Sequence, residues 1–282
     1  MNSINKSLQM ALNNIRKWAY NPRIYIIGIL IFLFAINYIS PLVQASNAIG
    51  YRFTPWFFPL IVNDASIQRI ILLGLIFLFC DAPFLDITQP YTIIRCNRRQ
   101  WAVGQITYIV MASGIYLLLL NISSMIVGIR NIHFTSEWGK IFSTFANTNA
   151  GNSFGVNYVD YNIVSNFTPI EATINSFMLE WLVAIFLGLT MFVLNMYLKR
   201  GLGAIIASFI VLVDSYISLG SIYMSKLSPV TFARLSMIDN TGISAKPTLL
   251  YAFSVLVILN VILVVVAIVL VRYKDIEVRE II

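Results

Sequence analysis

Three carboxylic acids lie in or beside segments of this chain that are otherwise almost wholly apolar: Asp81, Glu180 and Asp214. A charge in hydrocarbon costs roughly 2.5–3.5 kcal/mol on insertion scales, so such acids are candidates for ion binding, proton transfer or a structural hydrogen bond. Asp81 and Glu180 lie towards the ends of their segments, whereas Asp214 lies near the middle. Its position is equally consistent with a structural role and with a role in transport. No lysine or arginine lies deep in an apolar segment, so we expect no ion pair there.

Other catalytic and cofactor signatures are missing from the sequence. It has no G-x-x-x-x-G-K-[ST] phosphate loop, so we expect no ATP binding by that route. His133 is the only histidine, and C-x-x-C and H-E-x-x-H do not occur, so we predict no metal site and no cofactor. Gly151–Gly155 matches the G-x-S-x-G nucleophile pattern, but it lies in an asparagine-rich stretch, and we interpret the match as chance. We therefore predict no catalytic residue and no enzyme.

The segment 86–101 combines aromatic, apolar and basic residues in a short connection. A loop that only fixes topology needs the arginines but not the apolar groups. A mixed surface of this kind suits docking onto an acidic cleft of a partner protein. The candidate docking residues are Tyr91, Arg95, Arg98 and Arg99.

Six apolar stretches must position these residues. A helix needs roughly 20 apolar residues to cross a bilayer, and the stretches lack the strict alternation of barrel strands. Hydrophobic residues make up 59% of the chain and charged residues only 11%, against about 25% charged in a soluble domain. We predict an all-α membrane protein with a single domain over 1–282. The predicted spans are about 24–42, 67–85, 102–127, 174–198, 202–223 and 248–271.

The distribution of charge predicts the topology. The net charge is +7, and the basic residues concentrate before the first span, in alternate short connections and after the last span. By the positive-inside rule this places both termini in the cytoplasm. The basic balance then reflects topology and contact with anionic lipid, and we expect no nucleic-acid partner. We expect the first span to remain as a signal anchor, because its apolar run exceeds a usual signal-peptide core and no A-x-A-like site follows it.

Two further segments are predicted outside the spans. Residues 5–19 place apolar side chains, Leu8, Ala11 and Leu12 among them, on one helical face, which is typical of a helix lying in the membrane surface. An ordinary basic flank of the first span is the alternative. The polar segment 128–173 is predicted to be an extracytoplasmic loop.

The fifth span begins with a pattern of small residues. Gly203 and Ala207 are four positions apart, which lets two helices approach closely. The pattern fits packing within one subunit and contact between subunits equally well.

The chain resembles the permease subunits of bacterial ABC transporters of the ABC-2, exporter-like type. The resemblance covers nearly the full length. It consists of the N-terminal elbow helix over 5–19, six spans with both ends inside, and the Pro-Tyr…Arg-x-x-Arg-Arg-x-Trp-x-x-Gly-Gln pattern ending at Gln105. The Asp-Ala-Pro-Phe-Leu-Asp and Arg-Arg-Gln-Trp…Gly-Gln stretches are similar to those of uncharacterised permeases from Gram-positive bacteria. The chain departs from the family in having its large outer loop between spans three and four, where the family has it between five and six.

The resemblance implies a subunit of a plasma-membrane exporter. Two permeases, identical or different, would sit on two separate ATPase subunits, which would dock on the 86–101 loop and hydrolyse the ATP. The substrate would be an amphiphile such as a peptide, a lipid-linked compound or an antibiotic.

Three alternatives remain open. The chain is a proton-coupled secondary transporter that uses Asp214, or a membrane sensor or immunity protein whose 128–173 loop binds a ligand, or an intramembrane enzyme. The lone His133 and the lack of paired acids in one span disfavour the enzyme.

Overall fold

The computed structural model describes residues 3–84, 97–198, 201–220, 222–239 and 244–273. Over these residues the regular structure is helical, with short 3-10 turns and two isolated bridges. The α-helices are α1 (Ser3–Arg16), α2 (Pro22–Ile49), α3 (Phe58–Asn63), α4 (Ala65–Phe79), α5 (Arg98–Gly128), α6 (Gly139–Asn147), α7 (Tyr161–Asn166), α8 (Pro169–Tyr197), α9 (Leu202–Gly220), α10 (Ile222–Ser225) and α11 (Leu249–Tyr273).

Four of these helices, α2, α5, α8 and α11, are long and apolar enough to cross a membrane. The chain is therefore an all-helical protein whose long apolar helices are compatible with a membrane location. The two other predicted spans correspond to shorter apolar helices. Helix α4 has 15 residues and is about 22 Å long, less than the roughly 30 Å of a hydrocarbon core. The apolar part of α9, Leu202–Asp214, is also short.

The second predicted span, 67–85, differs most from the structure. Helix α4 begins where the Asp64 carboxylate accepts hydrogen bonds from the backbone N–H groups of Ser66 and Ile67, at 2.8 and 2.9 Å. The helix ends at Phe79, because Pro83 has no backbone N–H and disfavours helical backbone at the residue before it. The chain then turns out of the helix, and the last predicted turn of the span is not formed.

Side-chain caps explain where the longer helices begin. Asn21 accepts a hydrogen bond from the backbone N–H of Arg23 at 3.1 Å, and Pro22 occupies the first position of α2. Helix α8 begins earlier than predicted, at Pro169, because Thr168 and Glu171 form a capping box that satisfies backbone groups of the first turn.

Six apolar helices alternate in direction between two ends of one bundle: α2, α4, α5, α8, α9 and α11. The end that holds α1, Arg23, Asp81 and the first turn of α5 is called the α1 end. The end that holds residues 129–168 and the segment between α9 and α11 is called the loop end. Helix α8 is central, since 61% of its apolar window is buried, compared with 28% for α2 and 22% for α11.

Helix α1 packs along the first turns of α5. Ser7 donates to the Gln100 carbonyl at 3.2 Å, Asn14 to the Gln105 side chain at 3.3 Å, and Trp18 to the Tyr108 hydroxyl at 2.9 Å. Because the partners advance together along both helices, α1 and α5 run parallel.

The face that α1 buries differs from the predicted apolar face. Ala11 is buried together with the polar residues Ser7 and Asn14, whereas Leu8 and Leu12 point away from the protein and are 42% and 38% exposed. The contact with α5 is made by these small and polar groups together with Met10, which lies against Gly104. Leu8 and Leu12 therefore remain on the outer face of α1.

The predicted outer loop, 128–173, is folded onto the bundle. It contains α6, α7 and two 3-10 turns, and its anchors are tryptophan and tyrosine side chains. The Trp138 indole donates to the Phe167 carbonyl at 2.9 Å, and the Tyr158 hydroxyl donates to the Tyr38 carbonyl of α2 at 3.0 Å. The segment is therefore a small ordered layer over the loop end.

Candidate functional site: a buried charge cluster at the loop end

Asp214 and Arg234 form a buried ion pair. Their exposed fractions are 1% and 2%, and the Arg234 guanidinium donates to Asp214 Oδ2. The Ser228 hydroxyl donates to Asp214 Oδ1, and the Thr231 hydroxyl donates to the same oxygen at 2.5 Å. The expectation that an apolar span would contain no ion pair is therefore wrong for Asp214. The cation comes from outside the predicted spans.

The segment that follows α9 brings Arg234 to this position. After α10 the chain forms 3-10 turns over Thr231–Ala233 and Leu235–Met237. A 3-10 helix has three residues per turn, so side chains three positions apart lie on one side. Ser228, Thr231 and Arg234 are three positions apart, and all three bond to Asp214, although only Thr231 lies within a 3-10 turn.

Glu180 of α8 lies beside this pair. It is fully buried, and the Gln68 side chain of α4 donates to Glu180 Oε2 at 3.0 Å and to the Val230 carbonyl at 3.1 Å. Glu180 is within electrostatic range of both Arg234 and Asp214. We call Gln68, Glu180, Asp214 and Arg234 the charge cluster.

Arg234 is the member of the charge cluster that lies outside the apolar helices. Burial lowers the pKa of its guanidinium, and the carboxylates of Asp214 and Glu180 oppose that shift. The two acids therefore keep a cation in a place where its desolvation would otherwise be unfavourable.

A cleft of about 410 Å³ lies above the cluster at the loop end, and Arg234 is part of its lining. Asp64 and Asp160 lie on its wall. The Asn63 side chain holds two sides of the cleft together, since it donates to Asp160 Oδ2 at 3.3 Å and accepts from the backbone N–H of Ser236 at 2.9 Å. The cluster therefore lies beneath an acidic cleft.

Asp81, the third predicted acid, lies apart from the cluster at the α1 end. It pairs with Arg23, and the two side chains are 61% and 28% exposed. Arg23 also donates to Cys80 Sγ at 3.0 Å and lies over the Phe77 ring, 5.4 Å from its centroid. This arrangement joins the start of α2 to the end of α4.

Replacing Asp81 with asparagine is expected to lower the free energy of unfolding by less than about 1 kcal/mol. Exposed ion pairs contribute little because water screens them and the side chains lose entropy. Chemical denaturation of the purified protein in detergent measures the change. A loss of several kcal/mol would show that Asp81 holds the α1 end together.

The candidate docking residues fall partly outside the described residues. Tyr91 and Arg95 lie in the segment that is not described. Arg98 and Arg99 form the first turn of α5, with exposed side chains at the α1 end. They lie about two turns before Gln105 and its contact with α1.

The small-residue pair of α9 faces its own chain. A side chain at Gly203 would place its Cβ 2.7 Å from the Met191 carbonyl oxygen of α8. The Gly203 backbone N–H donates to Asn195 Oδ1 at 2.8 Å, and Ala207 is completely buried. Packing between α8 and α9 therefore accounts for the requirement for glycine at 203.

The other sequence candidates show no catalytic arrangement. Over the described ranges no group of three or more His, Cys, Asp or Glu residues could hold a metal ion. The stretch Gly151–Gly155 forms a 3-10 turn that ends at Gly155 with φ 79°, not the strand–turn–helix that a nucleophile elbow requires.

Comparisons with known proteins give little further information. An uncharacterised protein of Halalkalibacterium halodurans is 27% identical over 154 residues, which cover 53% of this chain and 51% of that protein. The chain thus matches about half the length of this relative. No protein-family model matches the chain, and no solved structure does.

Proposed function

We propose that this chain is the membrane-spanning subunit of an ATP-driven ABC transporter of the ABC-2 type, in the plasma membrane of a bacterium. In this proposal α4 and α9 complete a set of six spans, and the α1 end faces the cytoplasm. The basic residues Arg16, Arg23, Arg98 and Arg99 at the α1 end support that orientation.

The observation that carries the proposal is the way α1 braces α5. Helix α5 has 31 residues and is about 46 Å long, so roughly 16 Å exceeds the hydrocarbon core. The three hydrogen bonds from α1 and the 3-10 turn after it reach α5 between Gln100 and Tyr108, within its first turns. These turns therefore form a supported projection next to the 86–101 loop.

Such a projection suits a subunit that is driven from the cytoplasm. A partner that pushes on the loop would move the start of α5, and the contacts of Ser7, Asn14 and Trp18 would carry the displacement to α1 and α2. Energy conversion would belong to the partner, because the sequence has no phosphate loop. A dimer of ATPase subunits, a second permease and an amphiphilic substrate complete the proposed assembly.

A pull-down from the native cell in mild detergent tests the proposal. We expect an ATPase to be recovered with the wild-type chain and lost from a variant with Arg95, Arg98 and Arg99 replaced by glutamate. The matched control reverses the charge of Arg52, Arg130 and Lys140 at the loop end and should still recover it. If no ATPase accompanies the wild type in several detergents, the proposal fails.

Proton coupling through Asp214 is less well supported. Its carboxylate accepts from Ser228, Thr231 and Arg234, so a proton on Asp214 would compete with an arginine already bound there. We assign Asp214 to holding Arg234. A carrier would be indicated if Asp214→Asn abolished transport in cells that lack the ATPase.

A further inference from the structure

The charge cluster contains one more acid than it has cations. Asp214 and Arg234 neutralise each other, and Glu180 adds a second carboxylate at zero exposure. A buried charge without a partner costs several kcal/mol, so proteins pair it or neutralise it. Among the described residues, no further cation bonds to Glu180.

Glu180 also has an unused oxygen. Gln68 donates to Oε2, whereas Oε1 is buried and accepts no hydrogen bond. Ser176 precedes Glu180 by four residues, so both lie on the same face of α8, and its buried hydroxyl is also without a partner. Two adjacent positions of α8 therefore present unsatisfied buried oxygens.

The charged and titratable groups around Glu180 leave this oxygen unoccupied. Asp214 of α9 and Arg234 of the 3-10 segment are engaged with each other. The Tyr116 hydroxyl of α5, which also lies in electrostatic range, donates to the Ile71 carbonyl at 2.8 Å. Arg69 of α4 and Asp64 of the cleft wall lie within electrostatic range of Arg234.

The cleft at the loop end reaches the charge cluster at Arg234. Arg234 lines the cleft and also lies within electrostatic range of Glu180. Its Nε is buried and has no hydrogen-bond partner. Unsatisfied polar atoms are therefore present both on Arg234, at the cleft, and on Glu180. Asp64 and Asp160 on the cleft wall favour the entry of a cation.

We propose that Glu180, with Ser176 beside it, binds one exchangeable positive charge that enters through the cleft at the loop end. The charge is a proton or a sodium ion, and either would neutralise the second acid of the cluster. The Asp214–Arg234 ion pair stays formed when the charge binds or leaves, and it lies beside the site without binding the charge. The inference does not depend on an ATPase partner, and it assigns a different role to the acid of α8 than to the acid of α9.

Infrared spectroscopy and thermal unfolding of the purified chain in lipid nanodiscs test the site. If the charge is a proton, the wild type shows a protonated carboxyl C=O band at neutral pH that Glu180→Gln removes. If it is sodium, sodium chloride raises the melting temperature above its value in choline chloride at equal ionic strength, and Glu180→Gln abolishes the rise. Either result supports the site and identifies the ion.

Control and second variants keep the test decisive. Glu137→Gln changes an exposed acid of the loop end and should alter neither signal. Ser176→Ala removes an unbonded hydroxyl, so it should fold, and it should shift the carboxyl band or weaken the sodium effect. The inference is overturned if the wild type shows neither signal, or if Glu180→Gln leaves the observed signal unchanged.

Discussion

Replacing Arg234 with methionine is expected to lower the free energy of unfolding by about 3–5 kcal/mol. The change leaves the Asp214 carboxylate, 1% exposed, with two hydroxyl donors and no cation. Removal of one member of a buried pair is strongly destabilising because the remaining charge stays in a medium that solvates it poorly. Denaturant unfolding of the purified protein in detergent measures the loss.

A double replacement distinguishes the contribution of the ion pair to stability from that of side-chain packing. The combined change Asp214→Leu with Arg234→Met removes both charges, and we expect it to recover most of the lost stability, since apolar groups of similar volume often substitute for a buried pair without cost. Arg23→Met is the matched control, because Arg23 is paired with Asp81 at an exposed position and should cost less than about 1 kcal/mol. Equal losses for Arg234→Met and Arg23→Met would contradict the buried pair.

Replacing Gly188 with leucine is expected to be the most damaging change of volume. A Cβ there would lie 2.6 Å from Cγ2 of Ile109 on α5 and 3.1 Å from the Phe79 ring of α4. Gly188 thus marks a place where α8 closely approaches both α4 and α5. Overpacking typically costs about 1–3 kcal/mol, and we expect leucine to reach at least the upper value.

The chain provides a control for this change in Gly28 of α2. A Cβ at Gly28 would meet nothing within 4 Å, and both positions lie inside helices, so the gain in helix propensity is the same. Gly28→Leu should therefore change stability by no more than about 1 kcal/mol, the propensity difference. Size-exclusion profiles and thermal unfolding of both variants make the comparison. Similar losses at the two positions would contradict the close approach of α8.

The apolar helices were predictable because their signal is local. A run of about 20 apolar residues specifies a long helix by length and composition, and α2, α5, α8 and α11 follow from it. Helix α4 was predicted as a span over 67–85, but its end at Phe79 was not, although the causes are in the sequence. Asp64 is a strong N-cap residue, and Pro83 ends a helix. The span was predicted from hydropathy alone, which does not register these two signals.

Two of the four residues of the charge cluster were candidates from the sequence. The acids Glu180 and Asp214 stand out in apolar segments, but Arg234 lies 20 residues after Asp214 in a segment that looked like an outer loop. Its pairing depends on how the chain folds back after α9, which no local pattern determines. A signal in the sequence could have indicated part of the site: polar residues recur every three positions at Ser228, Thr231 and Arg234. The role of Gln68 depends on a tertiary contact alone.

The packing of α1 on α5 sets an order for biogenesis. Its hydrogen-bonding partners are 90 to 93 residues apart along the chain, and a ribosome adds about 5–20 residues per second. Helix α1 must therefore wait on the order of 5–20 seconds before α5 exists. In the proposed membrane location, the exposed parts of Leu8 and Leu12 would contact the lipid surface during that interval. In that case the two leucines, which stay partly exposed in the folded chain, would keep α1 beside the membrane until α5 has been synthesised.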